Sequence, residues 1–240
     1  MIRYAKCQMT IPKLPPAKFF PPVEVADPDG LLAFGGSLAP EWLLDAYQHG
    51  IFPWPIDEDA PVAWWSPDPR AIVELDDFRI SRRLRRTLRS GRFEVTCDRD
   101  FAGVIRGCAT ARGRIGHTWI IPEMIEAYTR LFELGHAHSV EARDEGRLVG
   151  GTYGLAIGGL FAAESKFYRV RDASKVALAH LVAHLKARGY RLFDIQQLTP
   201  HTARLGAIEI PRKMYMRRLA EALAVPVTFG DQLESQEACF

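Results

Sequence analysis

The chain has 240 residues, enough to bury a full core in one large or two small domains, with 48% apolar residues, 25% charged residues and a net charge of only +2. That balance excludes extensive disorder, and the net charge by itself implies no polyanionic partner. No apolar run approaches the ~18 residues of a membrane span. No signal-peptide core stands at the N-terminus, and the four cysteines (Cys7, Cys97, Cys108, Cys239) have neither zinc nor disulfide-framework spacing, so a soluble, cytoplasmic, metal-free protein is expected.

Twelve of the sixteen prolines and four of the five tryptophans lie in the first 70 residues. Residues 1–62 therefore read as a small Pro/Trp-rich N-terminal domain, and residues 63–240 as a second domain. In the first, Pro40 opens a helix that Gly50 caps, with Trp42, Leu43, Ala46 and Tyr47 as its apolar stripe. Asp27-Pro-Asp-Gly30 and Gly35-Gly36 are turns. Trp64-Trp65 sits in a proline-stiffened stretch where adjacent side chains cannot both enter one core. With Phe52-Pro-Trp54 and Trp119 it is a candidate for stacking on a base, the bland alternative being core packing.

Beyond Trp64 helices and strands alternate. A basic helix is expected over 81–90, ended by Gly91. Residues 79–92 contain seven arginines and no acid, and Arg82, Arg85, Arg86 and Arg89 share one face, with Arg83 beside them. Four like charges on one face repel unless an anion answers them, and the arginine fork suits phosphate. A solvated surface helix is the plain alternative; the missing acids favour a nucleic-acid backbone. Further helices start at Asp98 or Asp100 and at Pro122. Strands follow over 137–143, 148–157 and 160–164, then a helix capped by Ser174 and ended by Gly189, and a strand over 190–196. Helices, an antiparallel meander, a helix and a further strand match an α+β fold: a small N-terminal domain followed by a GNAT-like acyltransferase domain with a mixed, largely antiparallel sheet.

The stretch from Phe193 to Arg212 carries the most chemistry. Asp194 and Gln196 are two apart at the end of a buried strand before Thr199-Pro200, so they are expected to share a face. Glu164 closes an apolar strand, where a carboxylate is costly unless paired or functional, or unless the chain simply emerges into solvent there. His136 and His138 show no acidic or cysteine partner at ligand spacing, which favours ordinary histidines over a metal site. The segment 165–174, before the last long helix, has no glycine to cradle a pyrophosphate, which argues against coenzyme A as donor.

The chain resembles the leucyl/phenylalanyl-tRNA–protein transferase family over nearly its whole length. The matching motifs are Asp29-Gly-Leu-Leu-Ala33, Gly50-Ile-Phe-Pro-Trp54, Trp64-Trp-Ser-Pro-Asp-Pro-Arg70, Thr118-Trp-Ile120, Glu133-Leu-Gly-His-Ala-His-Ser139, Leu148-Val-Gly-Gly151, Asp172-Ala-Ser-Lys175 and the 193–212 segment. The resemblance implies a monomeric cytoplasmic aminoacyltransferase needing no cofactor. Its partners would be tRNA charged with leucine or phenylalanine, methionine being a lesser candidate, and proteins with N-terminal arginine or lysine, which it would tag for N-end-rule degradation. It also implies Asp194, Gln196 and Glu164 as catalytic residues, and Trp54 and Trp119 as contacts for the tRNA's terminal adenosine. Thr152 and Phe193 would line the pocket for the transferred side chain, and Arg82, Arg83, Arg85, Arg86 and Arg89 would meet the acceptor stem.

Two positions depart from the family pattern. Thr152 stands where a bulky apolar residue is usual, and Lys166 replaces the methionine of Gly-Glu-Ser-Met-Phe. Both bear on specificity, since an apolar pocket discriminates single groups by about 1–3 kcal/mol. Two rival readings remain: an acyl-CoA-dependent acyltransferase, and a tRNA-binding module without activity.

Overall fold

Two sheets organise the chain in the computed structural model, which describes residues 16–56, 60–111 and 118–234. The small sheet comes first. It contains β1 (Leu31–Phe34), β2 (Phe52–Pro53) and β3 (Ala63–Trp65) in the order β1-β3-β2, with α1 (Pro40–Gln48) between the first two. Pro40 is the first helical residue of α1, and Gly50 follows its end at φ +73°, a conformation closed to most side chains.

The chain then builds a seven-stranded sheet from β4 (Arg70–Val73), β5 (Glu94–Cys97), β6 (Ala137–Asp144), β7 (Arg147–Ile157), β8 (Leu160–Tyr168), β9 (Leu192–Gln196) and β10 (Ala207–Ile210). Its order is β10-β4-β9-β8-β7-β6-β5, and every neighbouring pair is antiparallel except β8 and β9. The helices are α2 (Arg82–Arg89), α3 (Phe101–Ala109), α4 (Pro122–Glu133), α5 (Ala173–Arg188), the single turn α6 (Pro200–Ala203) and α7 (Arg212–Leu223). The fold is thus mixed α/β, a small N-terminal sheet unit followed by one mixed sheet.

The large sheet is covered on both faces. One core cluster joins α3 and α4 to the N-terminal residues Leu43, Tyr47, Phe52 and Trp64. The other packs α5 and Leu84 of α2 against Val140, Phe161 and Phe193. A third seats Tyr215 and Leu219 of α7 on Ile72 and Leu192. β3 lies just past residue 62, and its pairing with β1 and β2 carries the small sheet across that position.

Several local expectations change. Trp64 is core, 1% exposed, and Trp65 packs partly buried against the same cluster, so both indoles serve one core. They manage it because each N–H finds a carbonyl, Gly35 O for Trp64 and Trp54 O for Trp65. β8 runs four residues past the expected end at Glu164. Asp172, at φ +69°, occupies the N-cap position of α5, leaving Ser174 inside the first turn. Cys97 and Cys108 are buried thiols, while Cys7 and Cys239 lie outside the described residues. Among the described residues no helix is long and apolar enough to cross a membrane.

Candidate active site

The site opens where two parallel strands part. β8 and β9 pair only through Leu160–Leu192, Phe161–Phe193 and Ala162–Asp194. Each strand then carries an irregularity. On β8, Tyr153 faces Ser165 and Gly154 faces Ala163, so Glu164 is the extra residue of a bulge. On β9, Ala71 faces Gln196 and Ile72 faces Asp194, and Gln196 adopts φ +58°. Bulges re-aim side chains, and these two turn Glu164 and Gln196 towards each other: the Gln196 carboxamide Nε2 lies 3.4 Å from Glu164 Oε1.

Asp194 does not follow Gln196 to the opening. It is fully buried and saturated with donors: Arg70 Nε and Nη2 at 2.9 and 2.7 Å, Tyr215 O–H at 2.8 Å, and the Gln196 backbone N–H at 2.9 Å. Arg70 is itself 1% exposed, donates to Gly50 O at 3.0 Å, and lies between the rings of Phe52 and Tyr215, each 4.7 Å away. The period-2 expectation that Asp194 and Gln196 present one face therefore gives way to a division. The carboxylate is locked inside, and the carboxamide, tethered to it through its own N–H, faces the opening.

Glu164 accepts from Tyr47 O–H at 2.6 Å and Tyr128 O–H at 3.0 Å, and the two phenol oxygens are 2.5 Å apart. Burial pushes its carboxyl up to about 7, with Asp194 adding to the rise, while the two tyrosines and Arg70 draw it down. Burial and the Glu164 carboxylate in turn push both phenols well above their ordinary value, so they remain donors. A carboxyl poised near neutrality can exchange a proton with an amine at physiological pH.

Glu164 and Gln196 form the polar wall of a cavity of about 390 Å³. Phe193, Leu178, Val73 and Leu205 supply apolar lining, as does Phe78. Trp54 and Trp119 border it, both half-buried, their rings 6.1 Å apart and tilted by 57°. Thr152 and Lys166, cross-strand partners on β7 and β8, line it too. The Thr152 hydroxyl donates to Ser165 O at 3.0 Å, so its hydrogen-bonding capacity is committed to the backbone. Of the residues singled out from sequence, the cavity thus gathers Glu164, Gln196, Trp54, Trp119, Thr152 and Phe193, with Asp194 behind them.

The arginine helix lies apart from this cavity. Ser81 caps α2 by accepting from the Leu84 N–H, Leu84 is buried, and Arg82, Arg83, Arg85, Arg86 and Arg89 are exposed. Arg83 meets Asp172 at 3.0 Å, so an acid distant in sequence answers one of the five. His138 likewise has the acidic partner its neighbours in sequence did not offer, Asp98 Oδ2 at 2.7 Å. Among the described residues no group of three or more His, Cys, Asp and Glu could hold a metal ion.

Sequence reading missed Arg70, Tyr215, Tyr47 and Tyr128. Tyr47 and Tyr128 were legible only as parts of apolar helix stripes, and their partner Glu164 is 117 and 36 residues away. The one available signal was Arg70 itself, an arginine opening an otherwise apolar strand, Ala71-Ile-Val73.

The family model described as leucyl/phenylalanyl-tRNA protein transferase matches residues 72–220, and that of its N-terminal domain matches residues 36–68. A leucyl/phenylalanyl-tRNA–protein transferase from Aromatoleum aromaticum is 56% identical over 88% of this chain and 89% of its own length. One from Solidesulfovibrio magneticus is 53% identical over 85% of this chain and 82% of its own length. Among solved structures, L-PGS from Bacillus licheniformis aligns with 14% identity over 77% of this chain and 70% of its own at a TM-score of 0.39, too distant to argue from.

Proposed function

Because the chain belongs to the leucyl/phenylalanyl-tRNA–protein transferase family, we propose that the cavity between β8 and β9 is where it moves leucine or phenylalanine from charged tRNA to the N-terminus of a protein. The observation that carries this reading is the joining of an apolar cavity of about 390 Å³ to a carboxylate–carboxamide pair at its wall. Such a cavity is of a size to hold one large apolar side chain and adjoining groups.

The donor ester is already activated, so the enzyme's task is positioning and proton transfer. Gln196, whose Nε2 is directed at Glu164, has its carboxamide oxygen left to accept from the acceptor's α-amine. The amine nitrogen attacks the ester carbonyl, the C–N bond forms and the bond to the ribose oxygen breaks. The nitrogen gives up a proton to the Glu164 carboxylate, which hands it on to the departing ribose oxygen and is regenerated. Asp194, neutralised by Arg70, acts as a positioning residue that fixes the backbone of Gln196. Trp54 and Trp119 flank the terminal adenosine, Phe193 and Thr152 the transferred side chain, and the exposed arginines of α2 the acceptor stem.

Glu164 also favours a cationic acceptor, which supports N-terminal arginine or lysine as the residues modified and degradation tagging as the consequence. We place methionine as a third donor residue, the protein as a cytoplasmic monomer, the larger sheet with its parting β8 and β9 as GNAT-like, and the domain division near residue 62. The test is direct. The protein is incubated with tRNA charged with labelled leucine or phenylalanine and with peptides beginning in Arg, Lys, Asp or Glu. Label in the Arg and Lys peptides is expected; tRNA binding without label in any peptide would leave a binding module.

A further inference from the structure

A second cavity, of about 380 Å³, lies beside the first and shares Lys166 with it. Its other walls include Arg171, Lys175, His201 and Ser174, with Asp172 at the start of α5. Three permanent cations and a histidine thus face one acid, and that acid is already held by Lys175 at 3.2 Å and by Arg83 of α2 at 3.0 Å. Lys166 and Lys175 are among the causes, after burial, that draw the His201 pKa down, which places all three in one electropositive field.

Ser174 adds an independent observation. It is 5% exposed and lines this cavity. Its hydroxyl, at the cavity wall, can donate to an oxygen that enters there. It stands in the first turn of α5, at the positive end of the helix, where the Ala173 and Lys175 N–H groups are taken by Val170 O and Asp172 O. Gly150 lets that turn press onto β7, since a Cβ there would fall 2.6 Å from Ala173 Cβ and 2.9 Å from the Ser174 N.

Resting on the reading given above, we propose that this second cavity seats the phosphodiester that links the donor tRNA's last two nucleotides. Ser174 donates to a phosphate oxygen, and Lys175, Arg171 and Lys166 supply the charge. The track is continuous. Arg83 ties α2 to the rim through Asp172, and Lys166 forms the wall shared with the aminoacyl cavity. The strand can thus run from the arginine face past the phosphate seat to its terminal adenosine. Lys166, one of the two positions that depart from the expected family pattern, then belongs to the donor's backbone.

The test compares equilibrium binding of the dinucleotide CpA and of adenosine to the whole protein. CpA is expected to bind about tenfold more tightly, the scale of one charge-assisted hydrogen bond. The Arg171→Gln/Lys175→Gln pair should bring that ratio close to one with adenosine binding unchanged, and Ser174→Ala should lower it about threefold. Arg171 is exposed, so Arg171→Gln alone remains a usable variant if the pair fails to fold. A ratio that stays at tenfold in these variants, or that is near one in the unmodified protein, overturns the proposal. Coenzyme A displacing CpA at equal concentration would also overturn it, assigning the cavity to a pyrophosphate carrier. Transfer from leucyl-tRNA is measured on the same preparations, and its absence beside an intact CpA preference would sink the transferase reading alone.

Discussion

Arg70 grips Asp194 across 124 residues of chain with two parallel hydrogen bonds, and neither side chain reaches solvent. Removing one partner of such a buried pair leaves an uncompensated charge, which costs about 3–5 kcal/mol, whereas replacing both with apolar groups is often near neutral. Arg70→Met is therefore expected to lower unfolding stability by that amount, and Arg70→Met/Asp194→Leu to recover much of it, by urea titration. Asp194→Asn should also slow transfer at least tenfold by loosening Gln196, about 1.4 kcal/mol of barrier. Wild-type rates in Asp194→Asn would remove Asp194 from the mechanism.

Glu164 sets a pH dependence of both rate and stability. With the Glu164 carboxylate as the proposed base, transfer should rise with pH through about 7. The acceptor α-amine, with an ordinary pKa near 7.7–8.0, adds its own limb. The logarithm of the rate should thus climb with a slope near two below pH 7 in the wild type and near one in Glu164→Gln. Folding runs the other way. The folded carboxyl keeps its proton up to about 7 while the unfolded one loses it near 4.5, so stability falls as pH rises between those values. The loss is on the order of 3 kcal/mol, and Glu164→Gln should abolish that slope in unfolding measurements.

The tyrosines that hold Glu164 draw its pKa down, so removing them should let it rise. Tyr47→Phe and Tyr128→Phe are each expected to move the rate limb about one unit towards alkaline pH, the scale of one hydrogen bond to a charged group. Because the two phenols also touch each other, the double variant should shift by less than the sum. An unmoved limb in both single variants would assign the titration to another group.

Thr152 looks from sequence like a polar intruder in an apolar pocket, but its hydroxyl is committed to Ser165 O. Thr152→Val should cost about 1 kcal/mol of stability and leave the leucine-to-phenylalanine ratio within about threefold. Competition between the two charged tRNAs measures it, and a larger change would mean that the hydroxyl addresses the substrate.

The exposed arginines of α2 should appear in the salt dependence of tRNA binding. Each phosphate contact contributes about 0.9 to the slope of log K against log salt on a duplex. Arg85→Gln/Arg86→Gln is expected to reduce that slope by nearly two, with little effect on transfer at saturating tRNA. An unchanged slope would return α2 to an ordinary solvated helix.

What the sequence disclosed follows physical range. Pro40, Pro122 and Gly189 punctuate helices through local backbone restrictions, so those helix ends were readable. The cap of α5 was misplaced by two residues because Asp172 reaches the left-handed region that asparagine and aspartate tolerate and needs no side-chain cap bond. Asp194, Gln196 and Glu164 could be named, but not their division of labour. That depends on two strand irregularities and on Arg70, Tyr47, Tyr128 and Tyr215, and pairings across 21 to 124 residues leave no periodic trace in the chain. The answering acids Asp172 and Asp98 stayed hidden for the same reason.

The extra residue on β8 and the distortion at Gln196 have a bearing on which changes of length the chain can absorb. Glu164 is the residue of β8 without a partner on β7, so deleting it would straighten the strand while Ser165 stayed opposite Tyr153, Lys166 opposite Thr152 and Phe167 opposite Gly151, each with its present facing. Such a deletion would take the carboxyl and leave the rest of that wall in place. The acid of the cavity thus stands outside the strand's alternation, on a residue that the pairing of β7 with β8 does not need.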